Sequence, residues 1–493
     1  MKEVKNITRR AFLGSTTSAA VGLTVLPSNV IAGLGHKAPS DKLNIAGIGV
    51  GGQGYNNLRN METENIVALC DVDWDYAENT FKRWPKAATY KDYRVMLEQQ
   101  NDIDAVMIAT PDHSHALPAV LSMRKEKHIF LQAPLTHSVY ESRILSDLAG
   151  RYGVSTQMGN QGNSGEEIRR ISEWIWAGTI GEITHVDAWA THPLWPQPLQ
   201  KPDRSRRVPR DLDWELFIGP ASWREYNPVY HPWNWRAWWD FGTSTLGNMG
   251  THILDPVFKA LKLEHPKTVE ASSSVFNIDS PPKSEFVKYE FPRRDNLPKV
   301  AMPEMTIHWY DGGMMPPRPN ELKVGEKMGD KDGGCIFHGT RGKIMCGAHA
   351  SNPTLLPVSE MENFEEPERT IRRVFNAGEG GHEQDWIRAC KEPLERRLVT
   401  SSNFQYAGPL TEMVLLGAMA VRLKSLNRKL EWDGPNMRFT NITPDDMLSI
   451  LTEKEFEVEY SNPKFNRQFA KLPAIETVEE WLRHTYRQGW EQI

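Results

Sequence analysis

Short apolar runs alternate with amphipathic stretches along the first third of the chain. Runs that end in polar or turn-forming residues predict buried strands over residues 42–48, 65–70, 105–109 and 128–131. Patterns with helical spacing separate and follow them, over residues 76–84, 115–125 and 138–152. Strands that alternate with helices predict an α/β fold with a doubly wound parallel sheet, whose ligand crevice lies at the carboxyl ends of the strands.

A glycine-rich turn follows the first predicted strand. Gly49, Gly51 and Gly54 have the GxGxxG spacing, which allows a tight turn and a close approach of the backbone to a pyrophosphate. A second register, Gly47/Gly49/Gly52, would place the turn inside the strand, so we prefer the later one. Asp71 ends the second predicted strand, twenty residues after Gly51, where a carboxylate binds the adenine ribose hydroxyls and repels a 2′-phosphate. The pattern predicts NAD as the cofactor.

The other candidate cofactor contacts lie in the same turn and at the ends of the later strands. Asn160 follows a further strand over residues 154–158 and reaches the crevice by chain order. The predicted cofactor contacts are Gly49, Gly51, Gly52, Gln53, Gly54, Asp71, Thr110, Pro111, His115, Gln132 and Asn160.

The start of the chain has the pattern of an export signal. Arg9 and Arg10 precede a weakly apolar run over residues 14–26, and a possible cleavage site follows Ala32. The run is too short to span a membrane, so we expect no stable membrane insertion. Twin-arginine export carries folded proteins, typically with a cofactor already inserted, and predicts a periplasmic location.

Composition and residue spacing argue against several other classes of function. The net charge is −5 and no basic block occurs, so we expect no nucleic-acid partner. The four cysteines lie too far apart for a CxxC pair and predict buried thiols. No HxxxH or HExxH spacing occurs among the histidines, and we therefore expect no metal.

Tryptophan is concentrated in one stretch. Eight of the seventeen tryptophans fall between Trp189 and Trp239. Rings interleaved with hydrogen-bonding groups in a loop suit a sugar, which offers apolar C–H faces and a rim of hydroxyls. The candidate substrate contacts that follow from the residues are Gln161, Tyr230, His231, Trp235 and Arg236.

Six motifs in order resemble the Gfo/Idh/MocA family, named for glucose-fructose oxidoreductase and inositol dehydrogenase. They are the glycine turn, Asp71, residues 110–115, residues 132–136, residues 178–183 and residues 246–255. The chain most resembles the secreted, twin-arginine branch of carbohydrate-degrading bacteria, with residues 438–441 and 486–490 also similar to that branch. The resemblance implies a second domain with an open, mainly antiparallel sheet, and a homo-oligomer.

The resemblance also assigns a catalytic face. A loop entering a helix places Asn248 and His252 four residues apart, with Asp255 one turn further, and His252 matches the family's catalytic histidine. The family usually has an aspartate at position 248 and a lysine at position 133. This chain has Asn248 and Ala133 there, which removes a carboxylate and a cation. The resemblance also implies that the helix that opens at residues 380–386 returns towards the site, which makes His382 a further candidate substrate contact.

Three explanations of Ala133 stay open at this point. They are an engineered lysine-to-alanine change, a natural enzyme that has moved the base role to His252, and an inactive protein that only binds carbohydrate. The expected function is an exported NAD-dependent oxidoreductase that acts on a sugar or glycoside carbinol, at C3, with a bound and recycled cofactor. The alternative is an NAD-dependent glycosidase that works by oxidation, elimination, addition of water and reduction.

The remaining patterns complete the expected organisation. Residues 280–335 are rich in Pro, Gly and Met and predict loops, whereas helices are predicted over residues 410–426, 444–456 and 477–490. The domain boundaries are a leader over 1–32, a nucleotide-binding domain over 40–160, a second domain over 161–430 and a C-terminal extension over 431–493.

Overall fold

A sheet of parallel strands forms the amino-terminal part of the protein. The computed structural model describes residues 41–294, 303–459 and 462–490, so the expected leader over residues 1–32 lies outside the described residues. Six strands pair in the order β3-β2-β1-β4-β5-β6, all parallel. Their bounds are β1 Asn44–Ile48, β2 Asn65–Cys70, β3 Ala88–Tyr90, β4 Ala105–Ile108, β5 His128–Leu131 and β6 Thr156–Met158.

Helices cover both faces of this sheet, which is why its central strands are apolar at almost every position. The bounds are α1 Gln53–Asn60, α2 Glu78–Arg83, α3 Tyr93–Gln99, α4 Ala116–Arg124 and α5 Val139–Tyr152. Local sequence sets the limits of α5, since Ser138 and Glu141 form a capping box and Gly153 ends the helix in the left-handed conformation.

A mixed sheet forms the second half of the fold. Among the described residues it has nine strands in the order β13-β12-β11-β7-β10-β9-β8-β14-β15, antiparallel except for the pair β7 and β10. The predicted fold class is confirmed. The bounds are β7 Ile183–Ala190, β8 Thr268–Ser273, β9 Glu285–Phe291, β10 Met305–Tyr310, β11 Gly333–Gly339, β12 Lys343–Gly347, β13 Thr354–Leu356, β14 Leu430–Asp433 and β15 Arg438–Phe439.

Three of these strands correct a prediction. Residues 280–335 were expected to be loops, yet they contain β9, β10 and the start of β11. Apart from Gly333 and Gly334, which begin β11, the Pro and Gly residues that suggested loops lie between the strands. Strand β9 itself alternates buried and half-buried residues. Short strands with a half-covered face have a weaker pattern than their flanking turns.

The helices of the second half pack on one face of the mixed sheet and against the first sheet. Their bounds are α6 Glu166–Trp176, α7 Trp214–Ile218, α8 Ser244–Ile253, α9 Asp255–Leu261, α10 His382–Lys391 and α11 Phe404–Arg422. Helix α11 is buried along most of its length because it packs on α5, α8, β8 and β9 at once. One continuous hydrophobic core therefore joins the two sheets.

The C-terminal part forms a hairpin and a helix. Strands β16 (Met447–Glu459) and β17 (Asn462–Pro473) pair antiparallel, and α12 covers Ala474–Arg483. The helix predicted over 444–456 is therefore wrong, because pairing with a distant strand overrides the helix propensity of its Glu and Lys residues. Among the helices of the described residues, none combines the length and the apolar character needed to cross a membrane.

Candidate active site

A cavity of about 610 Å³ lies where the carboxyl ends of β1, β2, β4 and β5 face helix α8. Its position matches the crevice expected for a doubly wound sheet. Sixteen of the residues predicted from the sequence line it: Gly49, Gly51, Gly52, Gln53, Asp71, Thr110, Pro111, His115, Gln132, Ala133, Gln161, His231, Trp235, Arg236, Asn248 and His252.

The glycine turn is too tightly packed for side chains. Gly49 has a φ of 72°, and a Cβ there would lie 2.7 Å from the backbone of Thr110. A Cβ on Gly54 would lie 2.0 Å from the carbonyl oxygen of Gly49, so a glycine at this position allows α1 to pack closely against the turn. Gly54 itself does not line the cavity. The turn therefore presents bare backbone to the cavity, as a pyrophosphate requires.

Asp71 is tied to the same turn. One carboxylate oxygen accepts hydrogen bonds from the backbone N–H groups of Val50 and Gly51, at 2.8 and 3.1 Å, and the other accepts one from Asp73 at 3.0 Å. Burial raises the pKa of this carboxyl to about 6. The oxygen that accepts from Asp73 retains lone-pair capacity for a further donor, so the carboxylate can accept a hydrogen bond from the ribose diol of a dinucleotide.

The strand ends at positions 110 and 134 are linked by a histidine. The two ring nitrogens of His115 contact the carbonyl oxygens of Thr110 and Pro134 at 2.8 and 2.9 Å. His115 therefore fixes the two chain segments that flank Ala133 and the cavity.

Helix α8 presents Asn248 and His252 to the cavity. Burial, together with nearby His349, lowers the pKa of His252 well below its usual value, so the ring is neutral at neutral pH. Its Nδ1 atom is buried without a hydrogen-bond partner among the described residues. Gly250 allows α8 to approach α11, because a Cβ there would lie 3.0 Å from the Val414 side chain.

The aromatic loop covers the opposite side of the cavity. The Arg236 guanidinium carbon lies 4.2 Å from the ring centroids of both Trp233 and Trp235. Burial lowers the pKa of Arg236 from its usual value. His231 contacts Asp73 at 3.2 Å. The loop thus holds flat rings and hydrogen-bonding groups side by side over the cavity.

Two predicted residues, Asp255 and Asn160, lie outside the cavity. Asp255 does not continue the face of His252, because α8 ends at Ile253 and Asp255 begins α9. Its carboxylate accepts hydrogen bonds from Asn160, Asn163 and the Tyr406 hydroxyl at 2.9, 2.7 and 2.6 Å. These contacts anchor the turn that carries Gln161, so Asp255 and Asn160 support the cavity wall.

The candidate substrate contacts His382 and Tyr230 are buried elsewhere. His382 contacts the Met158 carbonyl oxygen at 2.7 Å and the Ser164 hydroxyl at 2.6 Å, so both ring nitrogens are occupied. Tyr230 is 1% exposed and packs on Trp238 and Trp214. Neither residue lines the cavity, and the polar groups that suggested ligand binding are used within the fold.

Two models of known protein families match this chain. A family model described as "Oxidoreductase family, NAD-binding Rossmann fold" matches residues 43–160, and "Oxidoreductase family, C-terminal alpha/beta domain" matches residues 174–291. Models of both domains of the Gfo/Idh/MocA oxidoreductase family therefore match parts of this chain. The prediction of an NAD-binding Rossmann domain is confirmed.

Curated relatives are similar to part of this chain. A glycosyl hydrolase family 109 protein of Shewanella woodyi is 30% identical over 220 residues, which are 39% of this chain and 47% of the relative. An alpha-N-acetylgalactosaminidase of Shewanella oneidensis is 26% identical over 317 residues, 58% of this chain and 62% of the relative. The chain therefore spans about half to three fifths of the curated relatives it matches.

Solved structures share the fold. The WlbA dehydrogenase from Bordetella pertussis, in complex with NADH and UDP-GlcNAcA, is 15% identical with a TM-score of 0.53, covering 80% of this chain and 99% of that chain. An inositol dehydrogenase homologue from Azotobacter vinelandii, complexed with NADH and myo-inositol, is also 15% identical, with a TM-score of 0.51 and coverages of 77% and 95%.

Some cavity residues of this chain carry no sequence signal. His349 lines the cavity, with its ring 4.6 Å from that of His252, in a left-handed backbone conformation with a φ of 57°. No motif surrounds it, and only folding brings β12 beside α8. Trp490 also lines the cavity, with the Arg94 guanidinium carbon 4.4 Å from its ring centroid; its segment 486–490 carried the resemblance, but no role in the site was predicted for it. Tyr76 packs over Gly51 and Gly52.

Proposed function

We propose that this protein is an NAD-dependent oxidoreductase that removes hydride from a carbinol carbon, C3, of a sugar or glycoside. The observation that carries the proposal is the composition of the 610 Å³ cavity. It joins the glycine turn and Asp71 on one side to Asn248, His252 and the aromatic loop on the other. A dinucleotide and a small polar substrate therefore share one space.

Oxidation of a carbinol removes a hydride from carbon and a proton from oxygen. When bound, NAD⁺ supplies the hydride acceptor. The residues of this chain must then receive the proton and hold the hydroxyl in place. His252 suits the first task, because burial keeps its ring neutral and a ring nitrogen can take the proton. Asn248 lies one helical turn away and can hydrogen-bond the same hydroxyl or its neighbour.

Because position 133 carries no lysine, the histidines of the cavity, His252 and His349, become the main candidates for the base. Ala133 lines the cavity without supplying a cation, whereas His349 lies next to His252 in the same cavity. This pairing supports the explanation in which a natural enzyme uses histidine as the base. An engineered change and an inactive binding protein stay as alternatives that the assay below separates.

The aromatic loop favours a sugar as the substrate class. Trp233 is 51% exposed and lies beside Trp235 and Arg236. Sugars present apolar C–H faces to such rings and hydroxyls to groups such as the Arg236 guanidinium. Gln161 and His231 add polar groups to the same cavity.

A second candidate function is net glycoside hydrolysis. It is favoured by the relative named alpha-N-acetylgalactosaminidase. Here oxidation at C3 acidifies the proton on C2; a base takes that proton and the aglycone leaves C1. Water then adds across C1 and C2, and hydride returns to C3, so the net change is hydrolysis. This route needs a second proton transfer, from C2, which the simple oxidation does not require. His252 and His349 could share the two transfers.

We also propose that the protein is exported and works as a homo-oligomer. Arg9 and Arg10 support twin-arginine export. Because free NAD is scarce outside the cytoplasm, an exported enzyme must keep and recycle its cofactor. Cell fractionation should find the wild-type protein in the periplasm and the Arg9→Lys/Arg10→Lys variant in the cytoplasm, and light scattering of the exported protein gives its oligomeric state.

The activity is tested by mixing the purified protein and NAD⁺ with a panel of free sugars and chromogenic aryl glycosides. The near-ultraviolet absorbance of NADH and the colour of the released aglycone are followed together. NADH without aglycone supports oxidation, and aglycone with at most transient NADH supports hydrolysis. The His252→Asn variant should lose either signal, whereas His265→Asn, a histidine outside the cavity, should keep it. Sugar binding without either signal overturns both proposals.

A further inference from the structure

A cluster of histidines lies on the outer face of the mixed sheet, away from the cavity. His185 and Asp187 are two residues apart on β7 and so point to the same face. Val186 and Ala188, which alternate with them, lie in the core with the helices. The cluster therefore faces the side of the sheet opposite α8 and the candidate active site.

Strand register completes the cluster. His338 on β11 pairs directly with His185, and His308 on β10 pairs directly with Asp187. Directly paired residues on neighbouring strands place their side chains next to each other on the same face. Three adjacent strands thus bring three imidazoles around one carboxylate, although the residues are far apart in sequence.

The distances are short. Nε2 of His338 lies 3.0 Å from one Asp187 oxygen, and Nδ1 of His308 lies 3.0 Å from the other. The rings of His185 and His338 are stacked, with centroids 3.9 Å apart and planes at 14°. One ligand atom each from His185, Asp187 and His338 lies within 4.8 Å of the other two.

We propose that His185, Asp187 and His338 bind a divalent transition metal of the Zn²⁺ class. Two imidazoles and one carboxylate form a donor set that such ions prefer, with the fourth position left to water. Ligands on a shared tetrahedral zinc lie about 3.3 Å apart, given metal–ligand distances of about 2.0 Å. Nε2 of His338 and the Asp187 oxygen are already near this separation, at 3.0 Å, and a ligand atom of His185 lies within 4.8 Å of both.

The surroundings support an ion at this place. His308 contacts the Asp187 oxygen that His338 does not, so it can orient the carboxylate as outer-shell groups do in metal sites. Lys343, paired with His338 across β11 and β12, is neutralised by Glu321 at 2.5 Å. Nδ1 of His185 contacts the Thr184 hydroxyl at 3.1 Å, so Nε2 is the nitrogen that His185 would offer to the ion.

The test uses the full-length protein, freed of metal by dialysis against a chelator. Zn²⁺ is titrated in competition with a chromophoric chelator, and Co²⁺ is added separately because its visible absorption reports the coordination number. The variants are His185→Ala, His338→Gln and Asp187→Asn, with His265→Asn as the matched control. Circular dichroism and thermal unfolding in chelator establish that each variant is folded.

The proposal expects a single equivalent of Zn²⁺ per chain and an intense, low-coordinate Co²⁺ spectrum. The cluster variants should weaken Zn²⁺ binding at least about tenfold each, as the loss of a ligand or its positioning partner does, while His265→Asn binds like wild type. Equal binding by wild type and the folded cluster variants, or no binding by wild type, overturns it. Because the readout is metal binding, the outcome does not depend on the proposed enzymatic activity.

Discussion

Replacing Asp71 with asparagine should stabilise the cofactor-free protein at neutral pH and weaken NAD binding. Burial raises the pKa of Asp71 from 3.8 to about 6 in the folded state. A difference of about two pH units between folded and unfolded states corresponds to about 3 kcal/mol. Because the folded-state pKa is the higher one, ionisation of Asp71 destabilises the folded protein. The contribution of about 3 kcal/mol to its stability is fully present below about pH 4 and is lost as the pH rises through about 6.

The Asp71→Asn variant cannot ionise at this position, so it does not lose this stability as the pH rises. Its amide oxygen can still accept from Val50 and Gly51, but its NH₂ group faces the Asp73 N–H, which loses a hydrogen bond worth about 1 kcal/mol. We therefore expect the variant to be about 2 kcal/mol more stable than wild type near pH 7.5 and no more stable near pH 4.

The measurement is urea unfolding of both proteins at several pH values, without NAD. The informative quantity is the difference in unfolding free energy between variant and wild type, because contributions from other titrating groups cancel in it. A difference that stays constant from about pH 4 to about pH 7.5 would refute the argument that Asp71 is a buried, destabilising charge.

Calorimetry of NAD binding completes the test. Loss of the charged acceptor for the ribose hydroxyls should lower the affinity about tenfold or more. The control is Asp104→Asn, which removes a carboxylate at the amino-terminal end of β4, where it accepts from the Asn44 N–H. The control should bind NAD like wild type, and an equal loss in both variants would contradict the role of Asp71.

Three further changes test the site. Ala133→Lys should raise turnover about tenfold or more, by restoring a cation beside the base, and Ala133→Ser should not; equal turnover of both variants means that the position is not catalytic. Gly54→Ala should abolish NAD binding, because its Cβ would lie 2.0 Å from the Gly49 carbonyl oxygen, whereas Gly150→Ala on α5, with 3.7 Å of clearance, should bind normally in the same calorimetric assay. His349→Gln should move the acid limb of the kcat/KM profile to higher pH, because His349 helps to depress the pKa of His252; an unchanged profile would show that the two rings do not interact electrostatically.

The nucleotide-binding half was largely predictable because its signals are local. A buried parallel strand, a glycine turn and a capped helix each have a pattern within about ten residues. The observed strands β1 and β2 end directly before Gly49 and Asp71, and β4 ends two residues before Thr110, one residue earlier than predicted. The prediction for Asp255 failed although the sequence marks the break between α8 and α9. Pro256 follows Asp255, and a proline inside a helical pattern ends or kinks the helix at the preceding residue. His349 and the cluster around Asp187 depend on strand register and distant packing, which a single sequence does not specify.

The tryptophan-rich stretch supports a carbohydrate ligand less directly than its density suggested. Only Trp233 and Trp235 of the eight line the cavity, whereas Trp195, Trp214, Trp235 and Trp238 belong to a separate hydrophobic core within the loop itself. The loop between β7 and α8 has little regular structure beyond the short helix α7. Regular backbone hydrogen bonds of helices and sheets therefore contribute little to its stability. Large buried rings supply the missing stability, since each removes a large apolar area from water. Trp235 belongs to both sets, so packing of the loop and recognition of the ligand depend on the same side chain.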